Sequence, residues 1–130
     1  MFKLIKIENS RMNVPEPISY EVTDGEAVYA GEALVLSDGK LTKATGTPAF
    51  IALSAKAVTD HDRRLPVARI TSDHLYETSL TEAPTSLKVG DKVTLSSDGM
   101  GVTATTTDGC AEIVSLEGAA AVGDKIIVRF

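Results

Sequence analysis

The stretch Ala30-Gly31-Glu32-Ala33-Leu34-Val35-Leu36-Ser37-Asp38-Gly39 returns, with one extra serine, as Val89-Gly90-Asp91-Lys92-Val93-Thr94-Leu95-Ser96-Ser97-Asp98-Gly99. Each copy reads as a Gly-plus-acid turn, a short apolar strand, an Asp-Gly turn and a Thr-rich strand. The Thr-rich strands are Leu41-Thr42-Lys43-Ala44-Thr45 and Val102-Thr103-Ala104-Thr105. A third, partial copy of the opening is Val122-Gly123-Asp124-Lys125-Ile126-Ile127-Val128. Glycine accepts the positive φ of a tight turn, and the acid side chain can hydrogen-bond nearby backbone. A chain punctuated in this way is confined to short antiparallel strands.

The strands between the turns follow from alternation. In Lys92-Val93-Thr94-Leu95 the valine and leucine are expected inside; in the closing segment Ile126, Val128 and Phe130 share a face, with Arg129 on the other. The run Ala49-Phe50-Ile51-Ala52-Leu53-Ser54-Ala55 predicts a strand covered on both faces, and residues 110–116 hold the matching place after the second copy. Residues 65–70 and 74–78 predict two strands around a Thr-Ser-Asp turn, with Pro66 marking a strand start or an edge. Residues 9–17, with Pro15 and Pro17, residues 59–64 and residues 81–86 are expected to be irregular, and residues 117–121 to make no helix. The expected organisation is a strand or arm with its linker over residues 1–17, then one β-domain over 18–130 with pseudo-repeats at about 27–58 and 86–130. The fold class is all-β, a small barrel or sandwich.

A chain of 130 residues suffices for one core. Its formal net charge is −5 and its basic residues are scattered apart from Arg63-Arg64, which argues against a nucleic-acid partner. The opening Met1-Phe2-Lys3-Leu4-Ile5-Lys6-Ile7-Glu8 alternates charge with apolar side chains, unlike a signal peptide or spanning helix. No membrane association is expected, and synthesis is expected in the cytoplasm.

Catalysis requires converging groups. The single cysteine, Cys110, is expected to be a small buried residue, with neither a disulfide nor a structural zinc site. His61 and His74 stand beside aspartates, in Asp60-His61-Asp62 and Asp73-His74, a pattern that a metal site or an oriented base would use. A loop and a strand start more simply make them solvated polar positions. No nucleophile elbow, zincin helix or phosphate-cradling glycine loop is present. Asp24, Asp38, Asp98 and Asp108 each precede a glycine but lack calcium-loop spacing, so they read as turn formers. The Asp38-Gly39-Lys40 tip lacks the setting of a biotin- or lipoate-carrying lysine. No enzyme activity, cofactor or metal is expected.

The order of residues 27–42, then Phe50-Ile51-Ala52-Leu53-Ser54-Ala55, then 122–130, resembles the small β-rich decoration, or head cement, proteins of tailed bacteriophages. The resemblance runs from about residue 20 to residue 130. It implies a β-tulip-like or barrel-like protomer, a homotrimer on the outer surface of the virion head, and the major capsid protein as partner. Such proteins have no active site to carry over. Two placements remain open for residues 1–7. Phe2, Leu4, Ile5 and Ile7 either form a capsid-contact strand that adds to a neighbour's sheet edge, or pair within their own domain. The competing class is a non-catalytic ligand- or glycan-binding β-module. It would need a concave aromatic platform, and Phe2, Tyr20, Tyr29, Phe50, Tyr76 and Phe130 are spread through the chain.

Overall fold

A computed structural model describes residues 1–8, 15–60 and 64–130. Its strands are β1 (Lys3–Ile7), β2 (Ile18–Glu21), β3 (Ala33–Ser37), β4 (Lys40–Lys43), β5 (Phe50–Ala52), β6 (Arg64–Arg69), β7 (His74–Ser79), β8 (Lys92–Val93), β9 (Ala111–Ser115) and β10 (Lys125–Arg129). They form two antiparallel five-stranded sheets, in the orders β2-β6-β5-β3-β4 and β1-β7-β10-β9-β8. The all-β class expected from alternation is therefore observed. Both sheets curl: a single parallel bridge joins Val22 to Leu41 across the first, and another joins Leu80 to Val102 across the second. Neither closes into a complete barrel.

The duplication is written in the register. Leu34 pairs with Phe50 as Val93 pairs with Ala111, and Ala52 pairs with Val67 as Ile113 pairs with Val128. Glu21 meets Arg64 as Ser79 meets Lys125. So β2, β3, β5 and β6 correspond to β7, β8, β9 and β10, and the correspondence reaches beyond the segments that echo in sequence. The Gly-plus-acid turns repeat as well. The carboxylates of Glu32, Asp91 and Asp124 accept the N–H three residues upstream, from Tyr29 at 2.8 Å, Lys88 at 2.9 Å and Ala121 at 2.9 Å. The glycines before them have φ of 81°, 94° and 90°. Asp60 makes the same bond to Ala57 N–H at 2.8 Å without a glycine before it, which hid this turn inside an apparently featureless polar loop.

Two hydrophobic clusters result. Val22, Val28, Leu34, Leu41, Phe50, Ala52, Leu65 and Val67 fill the curl of the first sheet. The larger cluster belongs mainly to the second sheet, including Tyr76, Val93, Ile113, Ile126 and Val128, but it also takes Phe2, Ala33 and Ile51. In β5, Phe50 and Ala52 therefore point into one cluster and Ile51 into the other, as the unbroken apolar run predicted.

One of these expectations needs correction and one needs extension. Pro66 lies inside β6, between β2 and β5, at neither a start nor an edge. Its carbonyl accepts Leu53 N–H at 3.0 Å, and a residue's nitrogen and carbonyl point to the same side of an antiparallel strand. The nitrogen without a proton thus faces Leu53, just beyond the last β5 pair, Ala52 with Val67, so the reciprocal bond to the Leu53 carbonyl is forgone and the ladder ends there. The Thr71-Ser72-Asp73 turn does separate two strands, but they belong to different sheets, so the chain crosses there from one half to the other.

Candidate interaction surface

Pairing within its own domain describes β1. It runs antiparallel to β7, with Lys3 opposite Glu77 and Ile7 opposite His74, and forms an edge of the second sheet. Phe2 anchors it: the side chain is 2% exposed, its ring meets Phe130 at 5.5 Å, and its N–H donates to the Gly31 carbonyl at 2.8 Å. Burial of such a ring contributes about 1.5–3 kcal/mol. The register slips between Leu4 and Lys6, so Ile5 is the extra residue of a bulge and is exposed. Leu4 and Ile7 are half-buried. Bulges at sheet edges discourage uncontrolled strand addition. The linker expected over residues 9–17 lies mostly outside the described residues.

Between β1 and the first sheet runs an apolar groove of about 370 Å³. Phe2 and Leu4 form one wall, Ile51, Ala52 and Ala68 the other, and Tyr76 lies in the floor. Exposed Met1 and Leu53 stand at its mouth. Gly31 lets the first repeat approach this closely, because a Cβ there would sit 2.6 Å from Met1 Cβ. Tyr29, Leu36, Val58, Val89 and Val122 are further exposed apolar side chains, three of them valines in the acid-closed turns.

No family model and no curated protein matches the sequence. Among solved structures, the N base of head fibre gp8.5 in bacteriophage phi29 superposes with a TM-score of 0.58 at 17% identity, covering 88% of this chain and 94% of that one. The chain shares its fold with a phage head-fibre base. The all-β architecture to which the sequence pointed is thus the one observed.

The candidate chemical groups are dispersed. His74 is buried, not solvated as its strand-start position suggested, because β7 lies between β1 and β10. Its Nδ1 is 3.2 Å from the Tyr76 hydroxyl and its Nε2 is 3.9 Å from Asp73. Burial raises the Tyr76 phenol, and hydrogen bonding from Thr71 lowers Asp73. His61 lies outside the described residues. Cys110 is half-buried, and burial pushes its thiol up. It borders a polar depression of about 410 Å³, where Arg129 engages Glu112 at 2.9 Å and Glu8 at 3.6 Å. Among the described residues no three metal-binding side chains converge. The Asp-Gly aspartates act in turns: Asp38 and Gly39 both have positive φ, as a two-residue type I′ hairpin requires, and Asp98 accepts from Ser96 Oγ and Met100 N–H.

Proposed function

We propose that this protein is a non-catalytic structural component of a tailed-phage virion, bound as a homotrimer to the outer surface of the head, where it stabilises contacts between major capsid subunits. The observation that supports this most is the fold shared, over nearly the whole chain, with the base of a phage head fibre. The surface is consistent with such a role. Apolar side chains are exposed at Met1, Ile5, Leu53, Val89 and Val122, as association surfaces require. A trimer that touches several subunits at once multiplies weak contacts through effective concentration.

A glycan-binding module is less favoured, since Phe2, Phe50 and Tyr76 are buried and Tyr29 is the one aromatic among the large exposed side chains. The test combines solution mass with binding to expanded empty heads. A trimer that saturates heads and raises their resistance to heat or low salt supports the proposal; a monomer that leaves heads unaltered refutes it. Deleting residues 1–10 is a poor probe of the capsid contact, because it removes the Phe2 anchor as well.

A further inference from the structure

Four aspartates stand directly before a glycine: Asp24, Asp38, Asp98 and Asp108. Such a pair has a chemistry of its own, because a glycine amide nitrogen, unhindered by a side chain, can attack the γ-carbon of the preceding carboxyl group. All four share the same following residue, so an unfolded chain treats them nearly alike and the fold imposes any difference between them. Attack requires a carboxyl free to turn toward the backbone, a nitrogen outside any hydrogen bond, and room for the backbone to rotate as the segment opens locally.

Three of the sites fail on one or more of these counts. The Asp98 carboxylate is held by Ser96 Oγ and by Met100 N–H at 2.9 Å, and Gly99 N–H donates to the Ser96 carbonyl at 2.9 Å. Gly99 is also wedged in place, since a Cβ there would lie 3.2 Å from the side chains of Glu32 and Lys43. Beside Asp108, Gly109 N–H donates to the Thr106 carbonyl at 3.3 Å, and a Cβ on Gly109 would overlap the Lys92 carbonyl on β8. The Asp24 carboxylate pairs with Lys40 Nζ at 3.6 Å and has to leave it before it can react. Asp38 meets all three requirements. It is exposed at the tip between β3 and β4, and β4 is a sheet edge. Among the described residues its carboxylate has neither hydrogen bond nor ion pair, and nothing lies within 4 Å of a Cβ placed on Gly39. Ser37 pairs with Lys40 to close the two-residue turn, which leaves Gly39 N–H outside the ladder.

We propose that Asp38-Gly39 is a site of spontaneous isomerisation, at which the hairpin tip converts from an aspartyl to an isoaspartyl linkage faster than the other three pairs. The Gly39 nitrogen bonds to Asp38 Cγ, its proton and the carboxyl hydroxyl leave as water, and a five-membered imide closes. Water then opens the ring. Breaking the bond from nitrogen to Cγ restores aspartate; breaking the bond from nitrogen to the main-chain carbonyl carbon leaves the chain running through Cβ and Cγ, with a free α-carboxylate. The water lost is regained, so mass and formal charge are unchanged. The extra main-chain atom fits at the open tip, whereas beside Gly99 or Gly109 it would press on packed neighbours.

The test holds the folded protein for weeks in mildly acidic heavy-oxygen water, where each ring opening leaves one heavy oxygen on the residue, and then sequences proteolytic fragments by mass spectrometry. The expected result is isoaspartate and label at Asp38 accumulating about tenfold faster than at Asp98 and Asp108, with Asp24 between them. In guanidinium chloride the four rates should converge. Asp38→Glu, which would need a larger ring, should abolish the label at the tip. Conversion at Asp98 or Asp108 as fast as at Asp38, the same ranking in the denatured chain, or an unchanged Asp38 over a period in which the denatured chain converts would each overturn the proposal.

Discussion

Glu32 shows how one side chain can be both a turn device and a liability. It is 1% exposed, and burial raises its carboxyl although the Tyr29 N–H works against that shift. A carboxyl raised in the folded state binds more protons folded than unfolded, so its contribution falls as pH rises from its ordinary value of 4.5 through the folded one. Asp98 and Asp124 have the opposite sign. The Ser96 hydroxyl and Met100 N–H lower the first, and the Ala120 and Ala121 N–H groups lower the second. Their stabilisation is complete above 3.8 and is lost as pH falls through the folded values. Urea denaturation across these ranges should therefore show Glu32→Gln gaining on the wild type as pH climbs above 4.5, because glutamine keeps an acceptor for Tyr29 and has no proton to lose. The backbone offers a second contrast. Alanine at Gly39, with φ 76° and nothing nearby, should cost about 1–2 kcal/mol in a melting experiment. Alanine at Gly31 should cost more than Gly39→Ala, since it adds a 2.6 Å clash with Met1 to a φ of 81°. That these turns exist could be read from glycine and acid spacing; that Glu32 is buried and Asp91 only half-buried could not, because burial depends on what the other repeat places above the turn.

At the level of elements, alternation predicted strands well and partners poorly. The pattern of β1 shows which side chains share a face, but the same face can pack on its own domain or on a neighbour's. Phe2 enters a cluster assembled from distant segments, which no local window contains. Pro66 shows the same limit: a missing proton forbids one ladder bond, and only the register with β5 shows that the bond forgone is the last one, opposite Leu53, where the ladder ends. The His74 misreading arose because a strand start is exposed in a sheet edge and covered in a sheet centre. For β1 the expectation is a split between stability and attachment. Phe2→Ala should lower stability by about 3–5 kcal/mol in chemical denaturation. Ile5→Lys, at the exposed bulge, should leave the melting temperature nearly unchanged while reducing occupancy on heads.

Across the whole molecule, two curled sheets of corresponding register share residues at their seam. Turns echoed in sequence because few residues satisfy a positive φ and a carboxylate cap together. Strands diverged because any apolar side chain of suitable size fills an interior position, so Phe50 in one half is Ala111 in the other. Ile51, from the first sheet but packed in the second cluster, couples the halves. Ile51→Ala should cost about 2–5 kcal/mol and, if the seam sets cooperativity, split hydrogen-exchange protection into two steps. The contact between Phe2 and Phe130 carries a further consequence for engineering. With the rings of Phe2 and Phe130 touching, a few residues of flexible tether would join β1 to β10 in a continuous loop. The polypeptide could then be reopened at the Asp38–Gly39 tip, moving any fused cargo to the far side of the molecule while every strand keeps its neighbours.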